Sequence, residues 1–388
     1  MNASTRAVAL VLTLSAALAA CGDEVVAPAS SDTDPAVQKL VEMGFRADMI
    51  ENHGDYLVVE GDIQFARAEL LRPDRAAPAR APQPGGPRFQ YTTTATVSSA
   101  NVQTIKVDLS GLSSDAGYVQ AVRDAIGYWS GISGSYIKIV EGSPADIRFV
   151  FENLGTGVMG RGDFPSGGVA GDTVRFNPYF TVNGSAPSYA AKVKVAVHEL
   201  GHNIGFRHSN WNQVDCYPSS CNNNPGSVGA VQVGGTPSSG NDGSSVMNGG
   251  TAGTTWAGFS TYDQVAARTV YPLPAPAGFT LTHPSGTVYL TWNPVVGASY
   301  YEVQRVEVYH DENGYEGWSY STTYEGGWNT VYDTFFETGS SWTGASTCIW
   351  YQDAYGQTYS DYWWEVRAVF PNGNSAYINS TGAQDGSC

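Results

Sequence analysis

Basic residues are scarce in this sequence: 20 Lys and Arg stand against 36 Asp and Glu, a formal net charge of −16. That deficit argues against nucleic acid as a partner, because a phosphate backbone is held by clustered Lys and Arg. Histidine is scarcer still, with 6 in 388 residues, so any clustering of it carries information. Cysteine numbers 5, and no two are spaced as CxxC, which argues against a cysteine-rich metal site. The one long apolar run, Ala7 to Ala20, falls short of the roughly 20 residues that a membrane helix needs. Gly (45), Tyr (23) and Trp (10) are plentiful while charged residues make up 14%, a mix that fits an extracellular, strand-bearing protein. A chain of this length can bury two or three cores.

The apolar run follows Arg6 and gives residues 1–20 the form of a signal peptide. It ends in Leu18-Ala19-Ala20-Cys21, which resembles the bacterial lipobox. Cys21 is therefore the expected lipidation site; cleavage at an Ala-x-Ala-like site, with Cys21 incidental, is the alternative. The expected location is the bacterial outer membrane or cell surface, with a lipid anchor as the membrane contact. In that oxidising setting Cys216 and Cys221 are expected to pair, as are Cys348 and Cys388.

Residues 21–36 read as a tether. In 37–71, Val37, Leu40, Val41 and Phe45 fit one helix face, and 56–59 and 63–65 read as short strands. The Pro- and Arg-rich stretch 72–89 reads as an extended, protease-accessible linker, where processing would release the enzyme from its anchor. From residue 90 to 272 the pattern is mixed helix and strand. Strands are expected at 102–109, 136–140, 147–151 and 173–176, and a long loop at 155–171. One helix is expected over 115–129, burying Tyr118, Val122 and Trp129, others over 188–206 and 261–270. Residues 277–388 alternate as an all-β sandwich.

Three of the six histidines fall in His198-Glu199-Leu200-Gly201-His202-Asn203-Ile204-Gly205-Phe206-Arg207-His208. At i and i+4 of a helix, His198 and His202 project from one face and can grip one ion. Glu199, one position on, can face the open coordination site without binding. Gly205 can adopt a left-handed conformation that ends the helix and turns His208 back as third ligand. Three protein ligands leave a fourth position for water, as a catalytic Zn²⁺ requires, and Glu199 is the expected general base. His53, His283 and His310 stand alone and read as surface or loop residues. Calcium is conceivable at Asp163, Asp172 or Asn241-Asp242-Gly243, but no EF-hand spacing supports it.

Met247, within Ser244-Ser245-Val246-Met247-Asn248, follows in a Gly/Ser-rich turn. With the histidine motif it resembles the metzincin zinc peptidases, whose Met-turn forms a floor under the metal histidines. Some metzincins carry a Tyr two residues after the Met that assists at the metal. Gly249 stands there, and Tyr262 is too far along to be assumed equivalent. In particular, Gly201 to His208 resembles the dual-action HEIGH metallopeptidases, with Leu200 where that name has Ile. Val41 to Phe45, His53 to Tyr56 and Glu60 to Ile63 are similar to the region preceding the peptidase domain in that family; Met247-Asn248 and Phe259 to Asp263 resemble its end.

The resemblance covers residues 37–272. It implies an α+β metzincin-type domain, with a twisted mixed sheet, an active-site helix and a Met-turn, acting as a monomeric endopeptidase on extracellular protein. Such folds bind substrate along an edge strand, for which 168–178, with Val174 and Phe176, is the candidate. Segment 37–71 is either a propeptide, blocking the metal through a carboxylate such as Asp55 or Asp62, or a small structural subdomain. Residues 277–388 resemble a fibronectin type III module through Trp292, Tyr301 to Arg305 and Tyr362 to Ala368, with 310–345 as an insertion. An adhesion or glycan-binding lipoprotein built on the zinc-peptidase scaffold is the alternative function.

Overall fold

The computed structural model describes residues 34–42, 45, 47–72, 90–92, 95–210, 231–237, 242–282, 288–313, 317–337, 349–353 and 356–379. The apolar run 7–20, Cys21 and the four candidate disulfide cysteines lie outside the described residues. Among those described, no helix is long and apolar enough to cross a membrane.

Residues 34–72 build a small unit around their own apolar side chains. Helix α1 (Pro35–Glu42) turns Val37 and Leu40 onto strands β1 (Glu51–Asn52), β2 (Tyr56–Val59) and β3 (Ile63–Ala66), and a short helix α2 (Arg67–Leu70) closes it. Leu57, Val59, Ile63 and Phe65 complete that core, joined by Phe164 from the following domain. An Arg67–Asp34 ion pair at 2.6 Å ties its two ends together.

The next domain contains β4 (Tyr91–Thr92), α3 (Ser99–Val102), β5 (Ile105–Gly111), α4 (Ala116–Ser130), β6 (Ile139–Glu141), β7 (Ile147–Phe151), β8 (Gly160–Asp163), β9 (Thr173–Phe176), α5 (Tyr189–Asn203), β10 (Phe206–Arg207), β11 (Val231–Gln232) and α6 (Thr261–Val270). Asp115 caps α4 by accepting from the amides of Gly117 and Tyr118, and Ser188 caps α5 by accepting from Ala191 N–H. The main sheet is mixed, in the order β1-β2-β3-β8-β9-β7-β5-β6. β8 runs antiparallel to β9, whereas β3 lies parallel to β8, with Ile63 opposite Gly162 and Gln64 opposite Asp163. The N-terminal unit thus extends the sheet of the domain that follows it. A separate small sheet joins β10, β4 and β11.

The α+β class and the helix over 261–270 agree with expectation; five local features differ, one being that the strand expected over 136–140 is β6, Ile139–Glu141. Residues 99–102 are a helical turn, and the strand starts at Ile105. The expected loop 155–171 contains β8, which its glycines conceal. A Cβ on Gly160 would sit 2.7 Å from Glu199 Oε1, and one on Gly162 2.7 Å from the Glu199 carbonyl, so close packing on α5 removes the side chains that mark a strand. Helix α5 stops at Asn203, because Phe206 and Arg207 pair with β4. Strand β9, the candidate substrate edge, is interior between β7 and β8.

The C-terminal strands are β12 (Ala277–Thr282), β13 (Tyr289–Asn293), β14 (Tyr300–Asn313), β15 (Gly317–Val331), β16 (Phe335–Glu337), β17 (Ile349–Asp353), β18 (Gly356–Phe370) and β19 (Gly373–Asn379). They form sheets β12-β13-β16 and β15-β14-β18-β17, with β19 on β18. Leu290, Trp292, Val303, Trp364 and Val366 are buried in their core. The described part of 310–345 includes a continuation of the β14–β15 hairpin rather than an insertion outside the sheet. This unit is bonded to the domain before it: Gly134 N–H donates to Asn372 O at 2.8 Å, and Tyr136 OH to Val296 O at 2.7 Å.

Candidate active site

Helix α5 is buried along its second half, where His198, Glu199, His202 and Asn203 follow one another. Trp129 Nε1–H donates to Val197 O at 3.0 Å, fixing α4 against it. Past the helix, Gly205 has φ +104°, and a Cβ there would lie 2.9 Å from Ala95 O, so backbone conformation and space both call for glycine. The reversed chain enters β10 and brings His208 to the two helix histidines; ring centroids are 4.7, 5.3 and 5.1 Å apart.

The hydrogen bonds fix the tautomers of two rings. His198 Nδ1 lies 2.7 Å from Val246 O, and His202 Nδ1 lies 2.7 Å from Phe206 O. A carbonyl only accepts, so each Nδ1 carries a proton, and Nε2 is the nitrogen left to bind an ion. Those two Nε2 atoms face each other at 3.1 Å. With both lone pairs turned inward the two atoms would repel, and a cation between them, a proton or a metal ion, removes the conflict. Tetrahedral ligands about 2.0–2.1 Å from zinc would be about 3.3 Å apart, close to this spacing. Burial pushes His202 down to about 4, which keeps it neutral as a ligand must be.

The turn that carries Met247 supports this arrangement from below. Met247 is buried, and a Cβ on Gly201 would lie 2.5 Å from its Sδ, so helix and thioether meet without space for a side chain. Ser209 N–H donates to Met247 O at 2.8 Å, and Asn210 clasps Gly249 through both its amide atoms at 2.7 and 3.1 Å. A Cβ at position 249 would lie 2.6 Å from His208 Nδ1, a physical reason for glycine where a Tyr stands in some metzincins.

Asp263, on α6, organises the same turn. It accepts from Ser245 Oγ at 2.6 Å, Gln90 Nε2 at 2.8 Å, Ser260 N–H at 3.0 Å and Val246 N–H at 3.1 Å. Through Val246 it positions the carbonyl that holds His198. Asp263→Asn puts a donor among four donors. It is expected to cost about 2–3 kcal/mol in a thermal melt and to weaken metal binding about tenfold or more in a competition titration.

A fourth polar group enters from the N-terminal unit. Glu60 and Gly61 have φ +57° and +84°, and this tight turn between β2 and β3 delivers Asp62 to the histidines. Asp62 Oδ2 lies 3.0 Å from His208 Nε2 and 3.4 Å from His198 Nε2, and its Oδ1 lies 3.5 Å from His202 Nε2. Beside it Glu60 forms a buried ion pair with Arg207, whose guanidinium lies 4.5 Å over the Phe45 ring. Burial raises the Asp62 carboxyl, but the imidazoles around it prevail and hold it well below the usual range. Glu199 moves the other way: burial and the nearby Asp62 raise it well above. Asp62 Oδ1 and Glu199 Oε2 are buried without a hydrogen-bond partner. Three imidazoles, a carboxylate and two orphaned oxygens fit a metal ion, and Asp62, His198, His202 and His208 offer donor atoms within 4.8 Å of one another.

Residues 79–271, the stretch that carries the three histidines, Glu199 and the Met247 turn, match the model of the dual-action HEIGH metallo-peptidases. That segment belongs to this family. Among solved structures, myroilysin is 18% identical, covering 47% of this chain and 98% of its own, with a TM-score of 0.31. An Fn3-like protein from Clostridium thermocellum is 22% identical over 27% of this chain and 86% of its own, TM-score 0.17. The fn3 domain of human collagen alpha-1(XX) chain is 18% identical over 28% of this chain and 81% of its own, TM-score 0.17. No curated protein matches.

Within the HEIGH segment the structure brings His198, His202, His208 and Glu199 together, with Gly205 and Met247 against them. Of the two carboxylates named in the preceding unit, Asp62 reaches the histidines, and Asp55 stays in the turn before β2, its carbonyl accepting from Arg67 N–H. The calcium candidates are engaged elsewhere: Asp163 bonds Arg175 at 2.7 Å, and Asp242 accepts from Ser260 Oγ at 2.5 Å, while Asn241 lies outside the described residues. Sequence reasoning assigned no role to Asp263, Glu60 or Asn210. Asp263 carried one signal, its capping-box position three residues after Ser260.

Proposed function

We propose that the chain is a zinc-dependent endopeptidase of the metzincin type, with His198, His202 and His208 as metal ligands and Glu199 as general base. The observation that carries this is the facing pair of Nε2 atoms at 3.1 Å, each ring held through Nδ1 by a carbonyl behind it. When bound, zinc supplies a Lewis acid that makes water a nucleophile near neutral pH and polarises a peptide carbonyl. Glu199, buried against the histidines with a free oxygen, is suited to take the proton of the attacking water and return it to the departing amine. Its raised proton affinity favours the uptake, and the greater basicity of the departing amine drives the return. Substrate backbone would add to β8, which becomes the sheet edge once β3 leaves it.

The same geometry supports reading 37–71 as a propeptide. Asp62 stands at the fourth position around the histidines, β3 covers the β8 edge, and the Glu60–Arg207 pair anchors the turn. Cleavage within 72–89 would free the site and separate the enzyme from an anchor at Cys21. The zinc reading is tested by nicking the full chain there with trypsin, quenching, and following digestion of an unfolded protein with zinc content measured in parallel. Chelation is expected to remove one zinc per chain and at least 90% of the activity, roughly tenfold, and stoichiometric zinc to restore both. Full activity in metal-free protein would overturn it.

A further inference from the structure

The cavity beside Glu199 contains a charge that the proposed reaction does not use. It has a volume of about 210 Å³ and lies between residues 157–160, helix α5 and residues 250–253, with His198 and Glu199 among its walls. Lys194 lines it from one helical turn before His198, about 5–6 Å along the same face. The residue is only 8% exposed. Its Nζ donates to Thr251 O at 3.3 Å and Thr254 Oγ1 at 2.5 Å, both neutral. Among the described residues no carboxylate lies within ion-pair distance of it. Loss of hydration pushes the Lys194 ammonium below the ordinary lysine value.

A buried ammonium held by neutral oxygens alone is costly. A methionine at the same place would line the cavity without that cost. Of the remaining walls, Val158, Val195 and Ala252 suit the methylenes of a short side chain, while Asp62 belongs to the segment that would leave with the N-terminal unit. With one helical turn between Lys194 and the first histidine, whatever fills the cavity belongs to a residue next to the bond being cut.

We propose that Lys194 is a specificity residue, and that this cavity receives an aspartate or glutamate side chain flanking the scissile bond. The inference rests on the peptidase reading above and narrows its substrate class to peptides with an acidic residue beside the cut.

The test is a cleavage profile of a peptide library by the zinc-loaded full chain after trypsin nicking in 72–89, for wild type and Lys194→Met. Wild type is expected to enrich Asp or Glu at one of the two positions flanking the cut. Lys194→Met is expected to lower the ratio of kcat/KM for the acidic peptide to that for its leucine counterpart about 10–100-fold. A purely structural lysine would depress both peptides alike and leave their ratio unchanged, which overturns the assignment. Cleavage by wild type without acidic enrichment also overturns it, whether or not the variant folds, and leaves the peptidase reading standing. If zinc-loaded wild type cuts no peptide at all, the peptidase reading falls and this inference falls with it.

Discussion

Glu199→Ala, in the full chain nicked within 72–89, is expected to keep its zinc and lose about 10²–10⁴-fold of its peptide cleavage rate. The expectation follows from where the carboxylate sits. Glu199 lines the same cavity as His198, one position along the helix, but no metal-ligating role is assigned to it. Its Oε2 is buried with no hydrogen-bond partner, and the hydrogen bond that the carboxylate accepts, from Gly162 N–H, lies outside the histidine set. The three histidine nitrogens and the carbonyls behind His198 and His202 are untouched by the change. Zinc content and melting temperature should therefore stay near those of wild type while turnover collapses. A variant that loses zinc and activity together would show that Glu199 holds the site rather than acting in it. Glu199→Gln separates shape from proton transfer, because it fills the same volume and cannot take a proton; it should be as inactive as the alanine variant.

Asp62→Ala, in the chain that has not been nicked, is expected to open the metal site without opening the substrate groove. Asp62 lies within 3.5 Å of all three histidine Nε2 atoms, but the strand pairing of β3 with β8 and the Glu60–Arg207 ion pair do not depend on it. A small hydroxamate, which needs only the metal position, should bind the un-nicked variant about tenfold or more tighter than un-nicked wild type. Digestion of a protein substrate should rise far less, because β3 still occupies the edge where a substrate strand would lie. After nicking, variant and wild type should be equal in both assays. Equal hydroxamate affinity before nicking would show that Asp62 does not obstruct the site, and 34–72 would then be a structural unit.

The grouping of the site residues was legible because it is local. Spacing of four places His198 and His202 on one helix face, and Gly205 marks the reversal that returns His208. What supports the site was less legible, because it depends on contacts between distant segments. Asp263 lies 65 residues from His198 in the chain and acts through Val246, a backbone group that no side-chain pattern reveals. Strand β8 was concealed for the opposite reason. Its glycines are demanded by α5 packing against them, and they read as a loop when the helix is not in view. Asp62 and Asp55 were indistinguishable as residue types. The φ +57° turn at Glu60 and the parallel pairing of β3 on β8 separate them, and both are properties of the folded chain. Lys194 lies within the active-site helix itself, yet in sequence it reads as one more polar position on an amphipathic face.

The central claim is a hydrolytic metal site that the chain's own N-terminal segment closes. The most direct measurement follows digestion of an unfolded protein by one zinc-loaded preparation, before and after a quenched trypsin nick in 72–89, with nicked Glu199→Ala as the control for residual trypsin. The account predicts no digestion before the nick, sustained digestion after it, and none from the control. Equal digestion before and after the nick, or digestion by the control equal to that by wild type, would contradict it.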